Sequence, residues 1–477
     1  MDSRTSSYAS DTRRRPSSRR VARQGAHAGP ATKSWRARFT TERQAIALLA
    51  VAVLVGGGGS HAGIANLLVQ LAALVVLGLS PALPRASYRN SSRLLACLAA
   101  ATIALPLLQV VPLPQPVWSA LPGREPISQT FGLIGLESSW FPFSMSPHRT
   151  LVAFLSLIPA VVMMMLATCL DEKWRTRLLW TIVGLGIFNV ALGAIQLVTG
   201  SGAANLFGED HVASQLYGTF ANHNATALFL DIALLALVGL PREAESGLLE
   251  SPLVRIGLGA FLVLGLVLTQ SRSGMFIAIV PLALVGLRFL RARSKSGRPG
   301  VRRHHWIALG AAACMLAAGT FVVASSGRFE QAVSRFSDLQ DERPHVWEDS
   351  LTAVRHYWPA GAGIGAFDDI FQLHESLEYL TPLRAGRAHN DYLEFAIEAG
   401  AVAFVLVGAW IVWLIRTAIG RGSDLRPPMR SAAVAVLVAI GLQALIDYPM
   451  RTEALLCIAG AMAGLLGRRR PDPGTGS

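Results

Sequence analysis

The sequence predicts an all-α polytopic integral membrane protein, with about twelve transmembrane helices and a long, partly helical loop on the periplasmic or exterior side between spans nine and ten. Three observations predict it. Hydrophobic residues make up 52% of the 477 positions against 15% charged, and mean hydropathy is +0.42. Apolar runs of the roughly 17 to 25 residues that a bilayer core requires recur along the chain. Basic residues gather in alternate connections between those runs. This composition excludes a string of soluble domains and a wholly fibrous or disordered chain.

Residues 1–41 form a tail rich in Arg, Ser and Gly, a disordered composition that starts too hydrophilic for a secretory signal peptide. Through residue 43 it holds eleven basic and three acidic residues, a net +8. Apolar runs then follow at 42–59, 63–83, 92–112, 150–170, 178–198, 224–240, 253–270, 273–290 and 305–325, and after the long loop 326–390 at 391–415, 431–449 and 452–467. Domain by domain this gives transmembrane helices one to nine in 42–325, the loop, helices ten to twelve in 391–467, and a tail 468–477. The first run, with Gly56 to Gly59, and the short last one are the weakest spans. Cys97, Cys169, Cys314 and Cys457 lie in apolar runs, so neither a disulfide framework nor zinc spacing is present.

Short connections rich in Lys and Arg stay cytoplasmic. Here they follow the even-numbered spans: Arg85, Arg89 and Arg93; Lys173, Arg175 and Arg177; seven basic residues from Arg288 to Arg303; Arg416 to Arg430; and Arg468 to Arg470. Only the connection after span six, with Glu243, Glu245 and Glu250, breaks the pattern. Both termini are therefore expected in the cytoplasm. The formal charge of +13 becomes a statement about orientation and contact with anionic lipid rather than about nucleic acid. The long outer loop, by contrast, holds ten acidic residues and six arginines, a net −4.

A loop of that length needs structure of its own. Val346 to Trp358 and Phe367 to Leu380 both place apolar residues at helical spacing. Gly361-Ala-Gly-Ile-Gly-Ala-Phe367 between them has the glycines of a dinucleotide fingerprint but no preceding strand, so a turn between two helices on the bilayer surface is expected.

Polar groups that suit chemistry cluster on the outer face. Arg272, in Thr269-Gln-Ser-Arg-Ser-Gly274, offers either a planar fork of donors for a diphosphate or an interfacial anchor. The segment Arg384-Ala-Gly-Arg-Ala-His-Asn-Asp-Tyr-Leu-Glu394 sets His389 beside Arg384, Arg387 and Asn390. Histidine accepts a proton from a hydroxyl near neutral pH. Asp391 and Glu394 have the spacing of a capping box. Asn222, His223 and Asn224 stand at the entry to span six, where amides suit sugar hydroxyls and also cap helices. Arg343 is a second anion clamp or a loop arginine paired with a carboxylate, and Asp447 with Arg451 reads as a structural ion pair. No metal-ligand motif appears.

Together these segments resemble the bacterial O-antigen ligase and O-antigen polymerase superfamily. Gly218-Thr-Phe-x-Asn-x-Asn224, the joint Ser271 to Gly274, and Arg343 to Trp347 leading through Pro359-x-Gly-x-Gly363 to His389-Asn-Asp-Tyr-Leu-Glu394 carry the resemblance, in order and spacing, over most of residues 45–467. At His223 and Ala225 to Thr226 the chain departs from the family's usual pattern. The resemblance implies an inner-membrane glycosyltransferase with its site on the periplasmic face. Its donor is an undecaprenyl-diphosphate-linked glycan and its acceptor a glycolipid, glycan or protein hydroxyl.

By the same resemblance His389 is the base, while Arg272 and Arg343 hold the diphosphate. Asn222, His223, Asn224, Arg384, Arg387 and Asn390 are the candidates for substrate contact. The implied single displacement inverts the anomeric centre and needs no metal or cofactor. Ligase is the preferred reading, repeat-unit polymerase the alternative. A transporter, from another class, would place ionisable residues at the middle of several spans; these spans read as apolar, with polar groups at one face.

Overall fold

The computed structural model of the chain describes residues 40–59, 62–199, 206–207, 214–241, 251–296, 343–379, 386–420 and 423–469. The basic tail up to residue 39, the acidic connection after span six, the run 305–325 read as span nine, Arg384 and the last residues from 470 lie outside them. From Phe39 on, the described chain forms one compact helical unit.

Its helices are α1 (Thr41–Val55), α2 (Gly63–Leu79), α3 (Leu83–Asn90), α4 (Arg93–Gln109), α5 (Gln115–Trp118), α6 (Glu125–Leu133), α7 (Pro147–Cys169), α8 (Glu172–Thr199), α9 (His223–Gly239), α10 (Pro252–Leu268), α11 (Arg272–Ile277), α12 (Ile279–Ser296), α13 (Arg343–Tyr357), α14 (Phe367–Phe371), α15 (Asp391–Ile419), α16 (Pro427–Gln443) and α17 (Glu453–Gly467). A two-residue ladder pairs β1 (Pro112–Leu113) antiparallel to β2 (Phe141–Pro142). The mostly helical class read from the sequence is what the chain adopts.

Three helices, α7, α8 and α15, are long and apolar enough to cross a membrane, and α2 with α3 makes a fourth candidate bent by 88°. Five shorter apolar helices, α4, α9, α10, α16 and α17, add to them. The expected run 273–290 is divided at Ala278 into α11 and α12.

Two of the shorter helices are central. Both α9 and α17 are buried along nearly their whole length, so they need other helices rather than lipid around them. In α17, Gly460 and Gly464 let its backbone meet α7 closely. A Cβ at either would stand 2.1 Å from the Ala160 carbonyl oxygen or 2.3 Å from that of Met164, the close approach for which small residues four apart are used in membrane helices. Around this centre, α2 presents Leu67, Leu68, Leu71, Leu74 and Val75 outward, and α15 presents Val402, Phe404, Val405, Ile411 and Ile415. Exposed apolar stripes of this extent suit lipid contact. One carboxylate departs from the reading of uniformly apolar spans: Asp231, mid-α9, is fully buried, and neither of its oxygens has a hydrogen-bond partner among the described residues.

The described part of the long loop builds a second, small core. Ala353, Tyr357, Ala362, Ala366, Phe367, Ile370 and Phe371 pack with Ala388 and Ile397. The glycine run is a turn between α13 and α14, as expected, and it docks into a break in α15. Gly400 there has φ 54° and ψ −133°. The break frees carbonyls of the preceding turn, and Ala362 N–H donates to Ile397 O and Gly363 N–H to Glu398 O, each at 2.8 Å. The second helix of the loop is shorter than its spacing predicts: α14 stops at Phe371. Beyond it His374 packs edge-on to Tyr357, and Asp349 of α13 accepts from Ser376 N–H at 3.0 Å, which bends the chain away from helix.

Candidate functional site

Four segments distant in sequence meet at one end of the bundle: the start of α9, the α10–α11 joint, the start of α15, and the connection from α16 to α17. At the start of α15 the N-cap is Asn390, whose side chain accepts from Leu393 N–H at 3.1 Å. His389 precedes it in the left-handed region, φ 51°, uncommon for a non-glycine residue and noteworthy at a functional site. That backbone turn aims the imidazole across to the α16–α17 connection. Its Nδ1 lies 3.2 Å from Asp447 Oδ1, and its ring stands edge-on to Tyr448, centroids 5.1 Å apart. The His389 side chain is 36% exposed and that of Asp447 only 4%. A carboxylate at Nδ1 favours the tautomer that donates there, leaving Nε2 as an acceptor.

Asp447 is itself held. Its backbone N–H donates to Gln443 O at 2.9 Å, and Asn222 Nδ2 donates to its carboxylate at 3.2 Å. Asn222 uses its other end to cap α9, accepting from Asn224 N–H at 2.8 Å. Serine or aspartate would cap as well, but neither offers a donor and an acceptor on one planar group in this way. Burial pushes the Tyr448 phenol up, with Asp447 adding to the effect and a hydrogen bond to Asn222 opposing it. A small cavity lies among Asn222, Ala225, Gln443, Asp447, Tyr448, Pro449 and Thr452.

A relay of side chains ties the α10–α11 joint to the same place. Gln443 Nε2 donates to Ser273 Oγ at 3.0 Å, the Ser271 and Ser273 hydroxyls lie 3.0 Å apart, and Ser271 donates to Asn224 Oδ1 at 2.6 Å. Ser271 also caps α11 by accepting from Gly274 N–H at 3.0 Å. Between these two buried serines Arg272 is exposed. The tight joint expected there is real: Gln270 takes a left-handed turn, φ 53°. From below, Ala221 N–H donates to Gly57 O at 3.0 Å and Ala454 N–H to Gly56 O at 3.1 Å. A Cβ at Gly57 would lie 2.0 Å from the Thr219 carbonyl oxygen. The glycine run that weakens the first span is therefore a close approach to the Asn222 segment.

The histidine-bearing strand is clamped from the loop and from α15. Trp347 Nε1 donates to Ala388 O at 2.8 Å, and Arg343, at the start of α13, lies one turn from Trp347 on the same face. Glu394 accepts from Ala388 N–H at 3.0 Å and from Arg387 at 3.1 Å. Arg387 is thus committed to an ion pair. The acids of α15 do not form a capping box: Asn390 is the cap, and Asp391, Glu394 and Glu398 converge on Arg451, at 3.5, 3.0 and 2.8 Å. Nor do Asp447 and Arg451 pair, because each finds its partner on the α15 side. Burial alone would lower the Arg451 pKa, but Glu398, Glu394 and Asp391 together hold it above its ordinary value.

Arg124, another buried arginine, has no sequence signature. Its guanidinium donates to the carbonyls of Pro122, Phe143 and Gly361 at 3.0, 2.7 and 3.1 Å. Burial lowers its pKa to about 10, against the favourable effect of Tyr357 and Glu125, so it remains a cation at neutral pH and stitches the 113–149 segment to the glycine turn.

Of the predicted site residues, the structure brings His389, Asn222 and Asn224 into one network through Asp447 and the α11 serines, with Arg272 flanking it. His223 stands beside Tyr217, centroids 6.0 Å apart. Asn390 caps, and Arg384 lies outside the described residues. Asp447 and Gln443 were missed as site members; the only available signal was an acid at the end of an apolar run. Among the described residues no group of three or more His, Cys, Asp and Glu is arranged to hold a metal. Residues 257–408 match the family described as O-antigen ligase, a range that includes Arg272, Arg343 and His389 but ends before Asp447. No curated protein matches the chain.

Proposed function

We propose, taking the O-antigen ligase match of residues 257–408 as the premise, that this membrane enzyme transfers a glycan from a polyprenyl-diphosphate donor to an acceptor hydroxyl. The observation that carries the reading is the His389–Asp447 pair, 3.2 Å apart, with one imidazole nitrogen committed to a buried carboxylate on a side chain that is 36% exposed. Nε2 takes the proton of the acceptor hydroxyl as that oxygen bonds to the anomeric carbon. The bond from that carbon to the diphosphate oxygen breaks, and the lipid diphosphate leaves with the electron pair. Arg272 and Arg343, from the two segments flanking the histidine, meet its charge. Attack opposite the leaving group inverts the centre. The α13–α14 loop core excludes water that would otherwise compete as acceptor.

Replacing His389 by Ala removes the base and is expected to lower transfer by on the order of 10²- to 10⁴-fold with the protein still inserted and abundant. Full activity would remove His389 from the role. A deletion strain examined by glycan gel separates the acceptors: long unattached polymer marks a ligase, single unpolymerised repeats a polymerase, and unchanged glycan neither.

A further inference from the structure

At the end of the bundle remote from His389, four arginines have a common use. Arg175 and Arg468 donate to Leu170 O at the end of α7, Arg288 to Val238 O and Pro428 O, and Arg430 to Ala418 O and Gly420 O at the end of α15. Apart from Pro428 O, in the first turn of α16, these are carbonyls that a helix C-terminus leaves without partners. Three more are grouped differently. Arg89, Arg93 and Arg469, with Tyr88, line a cavity of about 240 Å³, and among the described residues their side chains make no hydrogen bond or ion pair. No carboxylate lines it.

The cavity is built from three separate pieces of chain. Tyr88 and Arg89 end α3, Arg93 opens α4, and Arg469 follows α17. Backbone bonds fix the third piece to the first two: Ser92 N–H donates to Gly467 O at 2.8 Å and Arg469 N–H to Asn90 O at 2.7 Å. Three like charges held together with no counter-ion among the described residues repel, so the arrangement calls for an anion. The other end of α4 identifies which surface this is. Gln109 there donates to Glu398 O and accepts from Ile364 N–H, beside the histidine-bearing segment. Arg93 is 16 residues earlier in the same helix, or about 24 Å away along its axis.

The neighbouring surface points to lipid as the source of the anion. Helix α2 turns its leucine stripe outward, and α3 is bent from it by 88°. A helix perpendicular to a lipid-facing one lies along the membrane surface. Leu83 and Ser87 are its buried side and Arg85, Tyr88 and Arg89 its exposed side, with a tyrosine at the level where amphipathic rings collect. At about 240 Å³ the cavity far exceeds the roughly 10–15 Å³ that one water requires, and leaves room for a phosphodiester and the alcohol it carries.

We propose that this cavity is a binding site for the phosphate head group of an anionic phospholipid, with the guanidinium forks of Arg89, Arg93 and Arg469 taking the phosphate oxygens and the Tyr88 hydroxyl the alcohol. The site is separate from glycan transfer and its test does not depend on that reaction. The full-length protein, purified and delipidated in detergent, is titrated with phosphatidylglycerol, phosphatidylcholine or inorganic phosphate and read by native mass spectrometry. Phosphatidylglycerol is expected to be retained over phosphatidylcholine, with affinity falling about fivefold in each of Arg89→Gln, Arg93→Gln and Arg469→Gln. Arg85→Gln, which removes a charge from the same helix outside the cavity, is expected to leave binding unchanged. Equal retention of the two lipids, or an Arg85→Gln loss as large as that of Arg89→Gln, overturns the site. Displacement of phosphatidylglycerol by millimolar inorganic phosphate overturns the assignment to lipid.

Discussion

Of the two nitrogens of His389, Asp447 engages Nδ1, and Asn222 holds Asp447 in turn. Replacing Asp447 by Asn preserves shape but removes the negative charge that orients the ring. Transfer is expected to fall about 10- to 100-fold at unchanged expression; a variant as fast as the wild type would show that the pairing is only structural. At this scale the sequence was legible where a residue acts locally. His389, Arg272 and the asparagines stood out because their neighbours in the chain are informative. Asp447 did not, since its meaning comes from a histidine 58 positions earlier and an asparagine 225 positions earlier. Arg451 was misassigned for the same reason: the acid one helical turn before it, Asp447, is not its partner in space, where Asp391, Glu394 and Glu398 surround it. Asp231 escaped because a span surveyed by mean hydropathy tolerates one carboxylate among many leucines.

Among the elements, α15 shows the limits of periodicity. An unbroken apolar pattern over 391–415 predicts one helix, and one helix axis is what the hydropathy supports. The break at Gly400 is set by backbone approach: Ala401 N–H donates to Pro359 O at 2.9 Å, and a Cβ at Gly400 would lie 2.0 Å from that same oxygen. Gly400→Ala therefore combines a clash with a conformation that L residues rarely adopt. It is expected to cost roughly 2–3 kcal/mol or more, seen as a lower unfolding temperature in detergent and loss of the monodisperse species. An unchanged unfolding temperature would mean that the glycine turn does not dock there. The starts of the runs read at 224, 273 and 391 lie within one residue of the helix starts His223, Arg272 and Asp391, where Asn222, Ser271 and Asn390 cap the ends. The extent of α14 was not readable, because contacts with α13 end it rather than a proline or glycine.

For the whole molecule, the basic connections predicted an orientation, and the structure gathers Arg175, Arg288, Arg430 and Arg468 away from His389. A fluorescent protein fused after Ser477 is expected to fluoresce, and alkaline phosphatase at the same place to be inactive, as for a cytoplasmic terminus. The reverse pattern would invert the orientation. The count of about twelve spans was less legible, since buried helices such as α9 and α17 escape the length rule that lipid contact imposes.

The break in α15 has a consequence for how the enzyme tolerates its solvent. From Ala401 to Ile419 the helix runs 19 residues, about 28 Å at 1.5 Å per residue, close to the thickness of a hydrocarbon core. The part before Gly400 is fastened to the loop and to Arg451 instead. Hydrophobic mismatch is relieved by tilting a span, and a hinge at Gly400 lets the part after it tilt while the part before it keeps its bearings on Arg451. Transfer measured in bilayers of increasing acyl length is therefore expected to vary little over a few ångströms of thickness. A steep optimum at one thickness would show that the two parts of α15 move as one rod.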